Sequence, residues 1–299
     1  MSAQPLTLSR LLGDWTVDPL LLCVLCLAGA LYWWGAVRCR TRWPARRTTS
    51  FMAGLFVVAL ALLSGIDRYA DELLSMHVLE HLLLILIAPV LLLWGAPVRL
   101  ALSASTPAPR RAIAGLLRSR IARVSTRPAC GFVLFTVVVL GTHLTGVYEA
   151  ALRNQTLHAC EHAAYFWAGM LFLLPLLAAD PIPHPPGAIA RFSWLMAAMV
   201  VMALPAGVFL LDGHVRYPFY VAPARALHAS ALADQHTAGV LMLVGGGVVM
   251  GVLAILIAMG AMLAEERRQQ RRDSYADRRT VSAAAGPAVG DPAGELAGR

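Results

Sequence analysis

The chain has no lysine: all 25 of its basic residues are arginine. Charge of either sign is scarce, at 14% of 299 residues, while 58% are hydrophobic. That excludes an ordinary soluble domain, where about 25% of residues are charged, and points to a polytopic membrane protein. The missing lysine carries no mechanism and reads as coding bias. Cysteine is scarce too. Cys23, Cys26, Cys39, Cys130 and Cys160 are odd in number and scattered through apolar segments, so no disulfide framework is expected. No cleaved secretory signal is expected either. Asp14 and Asp18 precede the first apolar run, and Trp33, Trp34 and a cluster of arginines follow it, the reverse of a signal's charge order. The net charge of +8 does not call for nucleic acid here, because Arg-rich loops facing anionic lipid account for it.

Long apolar runs dominate what is present. A helix needs about 20 apolar residues to cross the hydrocarbon core. Read at that length, the sequence has seven candidates, over 19–37, 50–66, 73–95, 129–145, 156–178, 191–211 and 235–263. The expected fold is all-α, a seven-helix transmembrane bundle over 19–263, with an N-terminal segment 1–18 and a tail 264–299. Arginine crowds the connections after the first, third and fifth runs and the tail. Only Arg10, Arg68, Arg153, Arg216 and Arg225 lie on the other side. The positive-inside rule then places the N-terminus outside and the C-terminus in the cytoplasm, and seven spans agree with that parity. The connection over 108–126 reads as an amphipathic helix on the inner leaflet, with Ile113, Leu116, Leu117, Ile121 and Val124 on its apolar face. The tail beyond Arg272, rich in Ala, Gly, Pro and Arg, is expected to be disordered. Pro89, Pro175 and Pro205 are expected to kink their helices. Gly245, Gly246 and Gly247 are expected to let the last helix pack closely or bend.

Two of the apolar runs open with the same motif. His77-Val78-Leu79-Glu80-His81 begins the third and His158-Ala159-Cys160-Glu161-His162 the fifth. An ionisable group at mid-bilayer costs about 2.5 to 3.5 kcal/mol on insertion scales, so such groups read as functional. Both runs start on the outer side in this topology. At about 1.5 Å rise per residue, both motifs lie roughly 5 to 15 Å below the outer interface. Residues three and four apart share a helical face, so each motif offers two imidazoles and a carboxylate in one direction. An i, i+4 histidine pair can give two nitrogens to one metal ion. The carboxylate can orient a ring or ligate directly. His143 ends the fourth run on the same side, so up to five imidazoles form a ring, with Asp234 and His236 placed to close it. A single histidine near a helix end is ordinarily an interfacial residue; two matched motifs are not explained that way.

The remaining features are weaker. Cys23-x-x-Cys26 and Met76 offer sulfur suited to copper(I), as accessory ligands. Met196, Met199 and Met202 recur every three residues on the sixth run, a spacing that reads first as packing. Cys160 lies two residues from each flanking histidine and points away from their face. His214 and His228 read as loop residues.

The same residues carry a resemblance. Met76 to Leu84, followed by Ala88-Pro89 and Leu92 to Pro97, resembles the third helix of the CtaG family, assembly factors for caa(3)-type cytochrome c oxidase. Thr142-His143 with Tyr148, the second motif leading to Ala168-Gly169-Met170-Leu171-Phe172 and Pro175, and Asp234-Gln235 with Gly239 resemble its later blocks, in the right order over about 50–262. Glu80 stands where the family more often has Gln, and Leu173-Leu174 where it has an aromatic pair. The resemblance implies a bacterial plasma-membrane protein that helps place copper in the oxidase, its partner being the catalytic copper subunit. A periplasmic copper donor is a further possible partner, and zinc an alternative metal. The expected ligands are His77, His81, His143, His158 and His162, with Glu80, Glu161 and Asp234 as supporting or occasional ligands. The expected role is non-enzymatic. Three other classes compete: a haem protein using one histidine from each helix, an intramembrane metallohydrolase, since HxxEH is also the order of inverted zinc proteases, and a proton or ion channel lined by these groups.

Overall fold

The computed structural model describes residues 7–39 and 42–284, without the side chains of 8, 12 and 276–284. Every regular element in this range is helical. A short α1 (Leu8–Gly13) precedes α2 (Pro19–Arg38), whose start is capped by the Asp18 carboxylate accepting from the backbone N–H of Leu20 and Leu21. Then come α3 (Ala45–Leu63) and the short α4 (Gly65–Ala70). The third apolar run is not one regular helix. It forms α5 (Leu74–Leu82), a π-helical turn over Leu83–Ile87, and α6 (Ala88–Trp94), and continues as α7 (Pro97–Ala104). Pro89, which has no N–H to give, sits at the start of α6, and the wider π turn ahead of it takes up the mismatch. Two short helices, α8 (Pro107–Leu117) and α9 (Arg120–Ser125), lead to α10 (Pro128–His143). After α11 (Val147–Leu152), the long α12 (Gln155–Leu177) and α13 (Ala188–Leu211) follow. A 3₁₀ turn over Pro218–Tyr220, α14 (Val221–Ala226), α15 (Ala231–Val240), a second π turn over Leu241–Gly245 and α16 (Gly246–Ala284) complete the order. Residues to Ala254 form one compact unit; from Ile255 the described chain is the remainder of α16.

Among the described residues, six segments are long and apolar enough to cross a membrane: Pro19–Arg38, Ala45–Leu63, Leu74–Ala104, Gln155–Leu177, Ala188–Leu211 and Ala231–Tyr275. The protein is a multi-pass membrane protein. Leu20, Val24, Leu27 and Leu31 of α2 are all exposed, a stripe that suits lipid and not water. The candidate over 129–145 becomes α10, whose 16 residues measure about 24 Å at 1.5 Å each, short of the roughly 30 Å core.

Two expectations are corrected. In place of one amphipathic helix over 108–126, the chain breaks at Arg118 and Ser119, where the Ser119 hydroxyl accepts from the N–H of Ala122 and starts a new helix. Leu116, Ile121 and Val124 remain exposed on the two pieces. The tail is helical as far as Ala284, because its Ala, Glu, Gln and Arg are good helix formers and Arg268 pairs with Glu265 one turn away, at 3.5 Å. The rest of the expected disordered tail, 285–299, lies outside the described residues, as do residues 1–6 of the N-terminal segment.

One backbone approach positions the two motifs. Gly169 of α12 packs directly on the Ile85 backbone in the π turn. A Cβ there would collide with the Ile85 carbonyl, its oxygen foremost. Because glycine has no side chain, α12 and the third run touch main chain to main chain. His81 lies one turn before Ile85 and His162 two turns before Gly169, so this contact draws the two histidine pairs together. Gly169→Ala should therefore cost about 1–3 kcal/mol of stability, as overpacking does. Gly141→Ala, on α10 in open space, should be neutral or slightly stabilising. Thermal melts in detergent compare the two; equal midpoints would mean that the Ile85 contact is not limiting.

Candidate metal centre

Both HxxEH motifs fall in the first turns of their helices, α5 and α12, and their side chains converge. One ligand atom each from His77, Glu80, His158 and His162 lies within 4.8 Å of the others; so does one each from His77, His81 and Glu161. His77 belongs to both groups. Its ring centroid is 4.3 Å from that of His81 and 5.1 Å from that of His158. Nε2 of His162 lies 3.3 Å from Oε1 of Glu80. The contact is off the hydrogen-bond direction, so neither atom counts as satisfied. His77, Glu80 and His81 are buried, as are His143 and Glu161.

The hydrogen bonds fix a tautomer. The Tyr220 hydroxyl donates to the carbonyl of Ala70 at 3.1 Å, and burial holds this phenol well above its ordinary pKa, so it keeps its proton. Its oxygen lies 3.0 Å from Nδ1 of His77 and accepts from it. The His77 proton is then on Nδ1, and Nε2 carries the lone pair. That Nε2 faces Nε2 of His81 at 3.0 Å, so the His81 proton sits on Nε2 and is given to His77. His143 is fixed likewise: Nδ1 lies 3.0 Å from the carbonyl of Val139, which can only accept. Nε2 of His143 is thereby the lone-pair nitrogen. The Tyr165 hydroxyl supports this arrangement at 2.9 Å from Nδ1, and its ring stacks on His81 at 3.8 Å.

Unsatisfied atoms concentrate here. Among the described residues, ten buried side-chain polar atoms have no hydrogen bond, and eight of them belong to Glu80, His81, His143, His158, Glu161 and His162. Each such atom costs about 1–3 kcal/mol if nothing binds it, and native proteins rarely cluster them without reason. Imidazole lone pairs beside carboxylate oxygens, buried and unpartnered, are a donor set that fits a transition-metal cation.

Sequence reasoning missed part of the surroundings. Asp67, on α4, faces the group; burial and then the nearby Glu80 carboxylate push its carboxyl up to about 7, with His162 opposing. Asp71 lies within electrostatic range of His158 and His162. The available signal was two acids four apart immediately before the first motif. The π turn directly after that motif was not legible either, although such turns are frequent at functional sites. His158, His162 and Asp67 also line a largely apolar cavity of about 830 Å³ walled by α2, α3 and α12, a lateral approach to the histidines.

Other expected ligands are placed elsewhere. Asp234 is buried, but its carboxylate accepts from the Ser75 hydroxyl and from the Ser75 N–H at 3.3 Å. It ties α15 to the start of α5 and so positions the first motif from behind. Nε2 of His236 is 3.3 Å from the Asp212 carbonyl, in the loop after α13. Cys23 and Cys26 are exposed on α2, turned outward by the same register that shows its lipid face. Cys160 is exposed, as its spacing requires. Met76 is half-buried and about 100° around α5 from His77.

Comparison with known proteins shows the family. The family model described as cytochrome c oxidase caa3 assembly factor matches residues 30–263. Uncharacterised proteins of Mycobacterium leprae, Mycobacterium bovis and Mycobacterium tuberculosis are each 27% identical over 92% of this chain. The chain spans only 43% of the length of these relatives. No solved structure matches it significantly.

The tautomer argument has a direct test. Tyr220→Phe removes the acceptor for the His77 proton while keeping the ring. Loss of such an orienting partner should weaken metal binding by about 10- to 100-fold, read by competition with a chromophoric chelator. Unchanged affinity would mean that Tyr220 does not set the His77 tautomer.

Proposed function

Because the chain belongs to the cytochrome c oxidase caa3 assembly factor family, we propose that it binds copper in transit and helps insert it into the haem-copper oxidase. The observation that carries this reading is the convergence of His77, Glu80, His158 and His162 from two separate helices. His81, Glu161 and His143 stand beside them, and Asp67 extends the set. The recipient is the catalytic copper subunit, reached within the membrane, and a periplasmic copper donor supplies the ion. The protein sits in a bacterial plasma membrane with α10 as a seventh crossing, its N-terminus outside and its C-terminus cytoplasmic, so the histidine end faces the exterior.

Copper here is cargo. A site for passing an ion on wants open access and mixed ligands, not four identical thiolates in a closed cage. His158 and His162, only partly buried beside the lateral cavity, provide the access. The protein acts without catalysing a reaction. Haem fits poorly, because a bis-histidine haem would use one imidazole from each helix and leave the i, i+4 partners and both glutamates without a role. Zinc remains compatible with the donors.

Metal content per chain after copper(I) loading and desalting tests the proposal. The wild type should retain copper, and His77→Ala/His158→Ala should retain measurably less per chain. Glu80→Gln/Glu161→Gln should keep at least part, since imidazoles remain, whereas a hydrolase using Glu as general base would lose all turnover. A wild type that retains no copper would sink the proposal.

A further inference from the structure

Between the two histidine groups and the core lies a second, smaller place with a different chemistry. A cavity of about 10 Å³ is lined by His81, His143, Tyr165, Met202 and Met242, its other walls being aliphatic. That is about the room of one water-sized sphere: enough for an ion, too little for an organic ligand. His81 and His143 are 2% and 1% exposed, and Met202 and Met242 are each 3% exposed. The thioether of Met202 is pressed against Gly246, where a Cβ would meet its Sδ at 3.0 Å.

The hydrogen-bond pattern decides what the two imidazoles can offer. His143 donates from Nδ1 to Val139, and His81 donates from Nε2 to His77. Each keeps one lone-pair nitrogen, Nε2 of His143 and Nδ1 of His81. Both atoms are buried without a hydrogen-bond partner among the described residues. No carboxylate, arginine or lysine lines the cavity. The donors are two neutral imidazole nitrogens and two thioether sulfurs, soft and uncharged, and they need release no proton to bind.

We propose that His81, His143, Met202 and Met242 form a second metal site, for a soft monovalent cation of the copper(I) and silver(I) class. It extends the copper reading but does not depend on it, since the outer group of His77, Glu80, His158 and His162 has its own donors. His81 borders both sites, with Nε2 toward His77 and Nδ1 free on the other side of its ring. Nδ1 is its lone-pair nitrogen in this tautomer, so His81 ligates at the inner site and is linked to the outer group through its hydrogen bond to His77.

Silver(I), which is soft and undergoes no redox change here, is the probe. The chain in detergent, with its five cysteines replaced by serine so that no thiolate can hold silver and with His158→Ala/His162→Ala to disable the outer group, should retain one silver per chain after desalting. X-ray absorption at the silver edge should show sulfur in the first shell. Adding Met202→Leu/Met242→Leu, swaps of similar volume that cores tolerate, should abolish the sulfur signal and most of the retained silver. Silver held without sulfur neighbours, or no silver in the outer-group variant, would overturn the proposal. If a histidine or methionine variant fails to fold, the silver-loaded cysteine-free chain with its native histidines and methionines decides the matter: sulfur scattering supports the inner site and an all-nitrogen and oxygen shell refutes it. Cobalt(II) absorption tests the outer group separately, and should survive Met202→Leu/Met242→Leu and vanish with His158→Ala/His162→Ala.

Discussion

The meeting of α12 with the π turn after α5 is the contact on which the rest of the histidine end depends. Gly169 allows main chain to touch main chain at Ile85, and from that point both helices run back toward their motifs. In a bilayer no hydrophobic force pulls helices together, because lipid is as apolar as leucine. Close packing at small residues therefore has to set the distance. The π turn adds a second adjustment. It inserts one extra residue per turn just after His81, so the face that carries the motif is rotated relative to the face that packs farther along. Without these two features, two HxxEH motifs at the same depth would still be two separate pairs.

Convergence creates an electrostatic and hydrogen-bonding problem that the surrounding loops solve only in part. Tyr220 and Tyr165 satisfy the outward nitrogens of His77 and His143, and the Tyr217 hydroxyl donates to the His143 carbonyl at 2.7 Å. Asp234 holds the start of α5 through Ser75. The groups that hold the rings are thus satisfied, while the atoms that face inward are not. A purely structural polar cluster would satisfy both sets, since a half-satisfied buried network is less stable than an apolar one.

Much of this was legible in the sequence for a definite reason. Ionisable residues inside apolar runs stand out, and a helix of known pitch converts their spacing into a shared face, so the pairing of His77 with His81 and of His158 with His162 followed directly. The outward direction of Cys160 followed from the same rule. What was not legible depends on elements remote in sequence. Asp234 looked like a ligand because it is an acid near the right end. Its engagement by Ser75 is visible only once α15 is seen against α5. The part played by Asp67 and Asp71 hinges on how α4 folds back. The break of the helix at Ser119 and the helical tail are local effects, a cap and a run of helix formers, which composition alone masked.

The two proposed sites differ in a way that the low dielectric makes consequential. The charging cost of an ion in a poorly polarisable medium grows with the square of its charge, so a divalent ion costs about four times as much as a monovalent one of equal size. A site with only imidazole and thioether donors leaves the whole ionic charge uncompensated, and at this depth that selects for a single charge. The outer group has Glu80 within it, and Asp67 and Asp71 nearby, so it can compensate a higher charge and can accept either oxidation state. Hard donors at the more accessible group and soft donors behind His81 therefore define a gradient of preference along one short path. A monovalent ion gains by moving inward, and a divalent one is held outside.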